Sequence, residues 1–486
     1  MIYKLRPYQE ECVKSISDYI NSDRHDPVLI VGPVGCGKSL LIAEAARLMG
    51  DKTLILQPSK ELLQQNHDKI TSYGIPATIY SASCGKKELS NMIYATLGSI
   101  KKVVDKLKEM GIRNVLIDEA HAGYSPEDGS EFMTFMNELK PKKVIGFTAT
   151  PCRLKNMSIG QTSYSQLNFI TRMRPVYFKD LIHVIQVEEM IRQGFWTPLK
   201  YETWDFNGDA LKLNSNGSEY TAESISEAVR KNGLNNLILR RLMVLKDVCR
   251  SILVFMDSVE SCNTAAEWMN AKICAGMAEV VHGGTPKKQR EAIVERFKSG
   301  KTKVVFNYSA LGTGFDHPGL DCVIVGRPTF SFSSFYQWLG RAVRIKDGKD
   351  SALIVDCCNN SSRFGDIRKL SIENYKGYGW GMFIGDKLIT NIPMGDKVTK
   401  TDLDIKAAKK DRRRGLAQGV TAAPVPGRPD HPLGSTLMTF GKYCGWMLHS
   451  IPVSYFKFIN ETFDWSNGRN KEIKEYIDFL IKNNRL

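Results

Sequence analysis

The sequence predicts an α/β protein with two doubly wound parallel sheets, on three observations. Apolar runs of strand length at 28–31, 53–56, 114–117 and 144–147 alternate with helix-compatible stretches, the pattern that puts helices on both faces of a parallel sheet. A second series follows at 251–256, 280–284, 303–307, 322–325 and 352–356. At 486 residues the chain exceeds what one ordinary core supports. The expected layout is a first domain over 1–200, a second over 201–357, a basic accessory segment and linker over 358–430, and a small module over 431–486.

Leu5-Arg6-Pro7-Tyr8-Gln9 precedes an amphipathic helix over 10–20, with Val13, Ile16 and Ile20 on one face. Taken alone, Arg6 and Gln9 read as surface residues. Ahead of the glycine loop described next, Gln9 can pair with the N6/N7 edge of adenine and Arg6 can lie over the base. The strand at 28–31 then breaks into Gly32-Pro33-Val34-Gly35-Cys36-Gly37-Lys38-Ser39. Glycines at 32, 35 and 37 let backbone N–H groups, Cys36 included, curl around phosphate oxygens, and the helix that follows adds its dipole. In such a P-loop Lys38 reaches the β- and γ-phosphates and Ser39 reaches Mg²⁺.

The strand at 114–117 ends in Asp118-Glu119-Ala120-His121. One acid can hold Mg²⁺ through its water shell and the next can deprotonate an attacking water, so Asp118 is read as the metal residue and Glu119 as the base. Together with the P-loop this predicts nucleotide hydrolysis, with ATP and Mg²⁺ as the cofactors. Polar loops at strand ends supply Ser59 and Lys60, and then Thr96 and Ser99; they read as phosphate contacts or as solvated helix starts. The run at 144–151 ends with Thr148 and Thr150, placed to couple the acidic pair to movement nearby. From 152 to 200 the pattern thins to a Ser/Asn-rich loop and a helix over 181–193, and 205–219 reads as a linker or exposed loop.

The second domain has no P-loop. Its contribution to nucleotide chemistry is expected from Gln337-Trp338-Leu339-Gly340-Arg341-Ala342-Val343-Arg344, where arginines at i and i+3 share one helical face.

Taken together these stretches resemble the superfamily 2 helicases, whose motors have two RecA-like domains. Leu5 to Gln9 is similar to the adenine-recognition motif, Gly32 to Ser39 to motif I, Asp118 to His121 to the DEAH form of motif II, and Thr148-Ala149-Thr150 to motif III. Phe255 falls in motif IV, Leu311-Gly312-Thr313-Gly314-Phe315-Asp316 resembles motif V, and Gln337 to Arg344 resembles motif VI. The arrangement is most similar to RadD-like repair helicases and phage recombination helicases, although the cysteine-rich zinc modules of RadD-like proteins have no counterpart here. The resemblance implies that Arg341 and Arg344 are arginine fingers, that Gln337, Gly314 and Asp316 belong to the nucleotide site, and that His121, Thr148 and Thr150 couple. It further implies nucleic-acid contacts from Phe255, His282 and Thr313.

A formal net charge of +15 points to a polyanionic partner, DNA before RNA. The 11 cysteines include no C-x₂-C pair, so no structural zinc is expected. A polar N-terminus and the lack of a membrane-length apolar run predict a cytoplasmic protein without a membrane partner. Lys406 to Arg414 carries six basic residues against one acid; it is a solvated face or a phosphate contact. The stretch from Phe440-Gly441-Lys442-Tyr443-Cys444-Gly445 to Phe458 resembles small modules attached to some nucleases, and its aromatics form either a small core or stacking faces. The expected activity is ATP-dependent unwinding or branch migration of forked or branched DNA. A double-strand translocase, an ATP-switched clamp and an RNA helicase stay open.

Overall fold

The computed structural model describes residues 4–50, 52–159, 162–311, 315–407, 431–439, 443, 447–463, 465 and 470–486. They form two units, Met1–Asn374 with Trp380–Val398, and Tyr375–Gly379 with Thr399–Leu486.

The first unit holds two lobes. In the first lobe, β1 (Val28–Val31), β2 (Thr53–Leu56), β5 (Met92–Ala95) and β6 (Asn114–Ile117) are four-residue strands buried along their whole length. That burial is why they read as continuous apolar runs rather than alternating ones. With β3 (Thr78–Ser81), β4 (Lys86–Lys87), β7 (Lys143–Thr148) and β10 (Asp180–Val184) they form one sheet in the order β10-β1-β7-β6-β2-β5-β3-β4, parallel except at β4. This order sets the carboxyl ends of β1, β7 and β6 side by side, so the glycine loop, Thr148 to Thr150 and the acidic pair share one edge. Helix α1 (Pro7–Asn21) starts with Pro7 in its first turn and a reciprocal cap between Arg6 and Gln9. Helix α2 (Lys38–Met49) starts on Gly37, and α3 (Lys60–Thr71) is capped by the Ser59 hydroxyl.

Residues 152–200 differ from expectation. β8 (Cys152–Ile159) and β9 (Thr162–Phe169) form an antiparallel hairpin, β10 pairs parallel with β1, and the helix covers only Val187–Arg192. Cys152, Leu167 and Phe169 are buried at the hairpin base. Polar residues fill much of the rest, which erases the period-two signal.

In the second lobe, β11 (Leu199–Thr203), β12 (Ile252–Phe255), β13 (Ala278–His282), β14 (Val304–Tyr308), β15 (Cys322–Val325) and β16 (Ala352–Asp356) form a fully parallel sheet ordered β11-β16-β15-β12-β14-β13. Beyond it the segment expected as linker contains β17 (Leu370–Tyr375), β18 (Gly379–Ile384) and β19 (Lys387–Leu388), neighbours in a small sheet. Their glycine- and aromatic-rich composition hid them.

In the second unit, helices Val453–Thr462 and Lys471–Lys482 enclose a core that includes Leu448, Phe456, Ile459, Tyr476 and Leu480. Phe456 is thus a core residue, whereas Phe458 is exposed. Phe440 to Lys442, Cys444 to Trp446 and Lys409 to Arg414 lie outside the described residues.

Candidate nucleotide site between two lobes

A cleft of about 490 Å³ is lined from the first lobe by Arg6, Gln9, Lys38, Ser39 and Glu119, and from the second by Asp316, Gln337, Arg341 and Arg344. The glycine loop forms its floor. Gly35 and Gly37 have φ of 83° and 82°, the left-handed region open to glycine. A Cβ on Gly37 would also meet the Gln9 amide nitrogen at 2.5 Å, and one on Gly32 would meet the Cys36 sulfur at 2.7 Å. Cys36 is buried; its N–H donates to Pro33 O at 3.1 Å, and its carbonyl accepts from Tyr8 Oη at 3.0 Å and Gln9 Nε2 at 2.9 Å. Gln9 is engaged at its other end too, where Oε1 accepts from the Arg6 N–H at 3.0 Å. As placed, Gln9 therefore braces the loop against α1. The Arg6 guanidinium, expected to lie over a base, lies 4.5 Å from the Phe195 ring centre and stacks on that ring.

At the end of β6, Glu119 adopts φ 46°, uncommon for a residue with a side chain, and its carboxylate bonds directly to the Lys38 ammonium. Lys38 also lies 3.6 Å from Asp118 Oδ1. Asp118 Oδ2 accepts from Asn66 Nδ2 at 2.9 Å, and Oδ1 accepts from the Glu119 N–H at 2.8 Å. His121 Nδ1 stands 3.3 Å from Glu119 Oε2 and 2.8 Å from Thr148 Oγ1, linking the acid to the end of β7. Burial pushes the Asp118 carboxyl up despite Lys38. Burial acts the same way on Glu119, but Lys38 and His121 outweigh it and hold that carboxyl well below the usual range. For Lys38, burial alone would lower the pKa; the two carboxylates reverse this and raise it to about 12.

The lobes touch beside the loop. Gly340 abuts Val34 so closely that a Cβ there would lie 2.5 Å from Val34 Cγ2, and Trp196 Nε1 donates to Val34 O at 2.9 Å. Thr150 Oγ1 and Ser333 Oγ are 2.5 Å apart. Arg341 Nη1 donates to Phe315 O at 2.5 Å, and Arg344 is ion-paired with Asp316. Burial lowers Arg341 to about 10, so it stays charged at neutral pH. The expectation that Arg341 and Arg344 share a helical face is corrected: the helix Phe332–Leu339 ends at Gly340, and both arginines sit in the irregular turn beyond.

Ser59 caps α3, Lys60 is its first residue, and Thr96 Oγ1 donates to Ser99 Oγ at 3.2 Å on the neighbouring strand end. His282 closes β13, its Nδ1 accepting from the Gly284 N–H at 3.1 Å. Phe255 is 2 % exposed and stacks on Trp338 with ring centres 5.0 Å apart, which corrects its assignment as a nucleic-acid contact: the ring is spent in the core. Thr313 and Gly314 lie outside the described residues. Sequence reading missed Asn66, Phe195 and Trp196. For Asn66 a signal existed, since it shares the buried stripe of α3 with Leu63 and Ile70, where a polar residue calls for a partner.

The donors fit a nucleotide with Mg²⁺. Ser39 lines the cleft with its hydroxyl and the buried Asp118 carboxylate lies 3.6 Å from Lys38 Nζ, and no group of three His, Cys, Asp or Glu that could hold a metal occurs among the described residues. Mg²⁺ is commonly held this sparsely, with substrate phosphates and water completing the shell.

Two parallel-sheet lobes facing each other across a glycine loop define the fold: these are two RecA-like domains. Residues 2–153 match the family model described as the res subunit of type III restriction enzymes, and residues 235–346 match the helicase conserved C-terminal domain. A "51.5 kDa protein" of a Lactococcus phage is 25 % identical over 332 residues, covering 68 % of this chain and 65 % of that one. A Saccharomyces cerevisiae chain provisionally named ATP-dependent helicase IRC3 is 24 % identical over 279 residues, covering 57 % and 38 %. Among solved structures, the ATP-dependent type ISP restriction-modification enzyme LlaBIII bound to DNA aligns with a TM-score of 0.54 at 15 % identity, over 86 % of this chain and 30 % of that one. The chain thus spans less than two thirds of the length of each. No helix among the described residues is long and apolar enough to cross a membrane.

Proposed function

We propose that the protein is an ATP-dependent DNA helicase or translocase, hydrolysing ATP in the cleft between its lobes. The observation that carries this reading is the composite lining of that cleft, with Lys38, Ser39 and Glu119 on one side and Gln337, Arg341 and Arg344 on the other. Lys38 and Glu119 bond to each other here. When Lys38 turns to the β- and γ-phosphates it releases Glu119, whose carboxylate then takes a proton from the attacking water. Mg²⁺ held by Ser39 and Asp118 would supply charge neutralisation at the phosphates. Arg341 and Arg344 stabilise the charge that develops on the transferred group, and they can do so only while the lobes are closed.

Hydrolysis then alternates the lobes between closed and open states that grip a strand differently. His121 and Thr148 relay the state of Glu119 to Thr150, which meets Ser333 of the other lobe. DNA is favoured by the restriction-enzyme family model and by the net charge of +15. Ser59, Lys60, Thr96, Ser99, His282 and Thr313 are the phosphate contacts in this reading, so binding is largely independent of sequence. In this reading the motor extends past the expected division at 357 to about residue 398, because 358–374 and 380–398 belong to the same unit as the two lobes, and the basic segment and small module come after it. We assign preference for forked or branched DNA to that tail, because two linked weak contacts gain affinity only where a second DNA arm is present.

The test is ATP-driven strand displacement on forked, blunt-duplex and four-way-junction DNA, by the full chain and by a variant with Lys409, Lys410, Arg412, Arg413 and Arg414 changed to Gln. Release of strands by the full chain, with fork preference lost in the variant, is expected. DNA-stimulated hydrolysis without release would favour a translocase or clamp. Equal fork preference in both chains would return substrate selection to the motor.

A further inference from the structure

Beyond the helix end the Arg341 N–H still donates to Trp338 O at 3.2 Å and the Ala342 N–H to Leu339 O at 3.0 Å, but the carbonyls of the turn that carries Arg341 and Arg344 find their donors elsewhere. In a continuing helix the carbonyls of Ala342 and Arg344 would accept from N–H groups four residues ahead. Here both accept from one side chain instead. Lys349 Nζ donates to Ala342 O at 2.7 Å, to Arg344 O at 2.8 Å and to Pro318 O at 3.2 Å. An ammonium has three donors and no acceptor, so three carbonyls satisfy it completely. Lys349 is only 8 % exposed, a degree of burial a lysine tolerates when its charge is met in this way.

Two further contacts converge on the same backbone. The Thr197 N–H donates to Val343 O at 2.8 Å and its hydroxyl to Arg344 O at 2.7 Å, so all three carbonyls from Ala342 to Arg344 are held from outside the turn. The third carbonyl on Lys349, that of Pro318, lies two residues after Asp316, the ion-pair partner of Arg344; Phe315, just before it, accepts from Arg341. Lys349 therefore joins the turn bearing the two arginines to the loop bearing the groups they contact.

We infer that Lys349 is a positioning residue for ATP hydrolysis: its buried ammonium replaces the missing helical bonds and fixes Arg341 and Arg344 toward the nucleotide. This rests on the proposed ATPase reading. Lysine suits the task better than arginine would, because a compact tetrahedral head can face three carbonyls that a planar fork cannot all reach. Lys349 does not line the cleft; its effect passes through the two arginines, which do.

The experiment compares wild type, Lys349→Met, Thr197→Val, Arg341→Ala and the Lys349→Met/Arg341→Ala pair in the full chain. It measures kcat and KM for ATP, affinity for ADP alone and for ADP with aluminium fluoride, and the thermal midpoint. Loosening the arginines by about 1 Å should lower kcat on the order of 10²-fold in Lys349→Met, with KM within about threefold because the phosphate grip belongs to the first lobe. The preference for ADP with aluminium fluoride over ADP should fall by a similar factor. Combining Lys349→Met with Arg341→Ala should cost clearly less than the product of the two single losses, since both act in part through Arg341. Thr197→Val, which deletes a single bond to the turn, should lose roughly five- to tenfold in kcat with the same signature. A Lys349→Met protein that hydrolyses at the wild-type rate, or is slower with its preference for the fluoride complex intact, overturns the inference. If Lys349→Met does not fold, Thr197→Val decides by the same two criteria. A wild-type protein that binds the fluoride complex no better than ADP would instead overturn the ATPase reading.

Discussion

Replacing Gly340 with alanine isolates the closure of the lobes from every other property of the site. Gly340 has φ −60° and ψ −11°, a conformation alanine adopts freely, so the substitution brings no backbone strain. Its cost is entirely across the interface: the added Cβ would stand 2.5, 2.7 and 3.0 Å from Val34 Cγ2, Cβ and Cγ1. Carbon atoms rest about 3.5–4.0 Å apart, so the lobes must separate by roughly 1 to 1.5 Å at this point. Val34 cannot readily turn aside, because the backbone carbonyl of this residue is held by Trp196 and its neighbour Gly35 faces Val343. Displacing Arg341 from the phosphate site by about 1 Å should lower kcat on the order of 10²-fold. Nucleotide affinity, set by Lys38 and the glycine loop, should stay within a few-fold. Stopped-flow binding of a fluorescent ATP analogue alongside steady-state hydrolysis reads both quantities. Hydrolysis by Gly340→Ala within about threefold of wild type would show that this close approach is not needed, and the reasoning from it would fail.

Two substitutions separate binding from chemistry in the first lobe. Lys38→Ala removes the cation that should meet the phosphates and also leaves Glu119 and Asp118 facing each other without it, so it should weaken nucleotide binding and cut turnover by at least about a hundredfold, as equilibrium binding and hydrolysis assays would show. Glu119→Gln should keep ATP binding while reducing turnover by a similar factor or more, because an amide cannot accept the water's proton; near-normal hydrolysis would remove Glu119 as the base.

The fold was legible where burial is complete. Strands such as Val28–Val31 and Thr53–Leu56 are covered on both faces and so appear as unbroken apolar runs. Edge elements were not: β10 pairs with β1 on one side only, and its half-buried Asp-Leu-Ile-His-Val reads equally as the start of a helix. In the site, the glycine loop and the acidic pair announce themselves because phosphate and water chemistry restrict residue type. Tertiary contacts do not. Periodicity carried the helix through Arg344, whereas Gly340 ends it where Val34 presses close. The resemblance implied a nucleic-acid contact for Phe255, whereas the folded chain covers that ring with Trp338. Asn66 on Asp118 and Lys349 beneath the arginine turn act from elements far away in sequence, and only the folded chain brings them to the site.

The central claim is that both lobes are needed to hydrolyse ATP, and the most direct measurement is DNA-stimulated ATP turnover by wild type and by the Arg341→Ala/Arg344→Ala double variant. The account predicts stimulation by DNA in wild type and a loss of about 10³-fold or more in the double variant, the range that removal of an arginine finger produces. Stimulated turnover that survives both substitutions would contradict it.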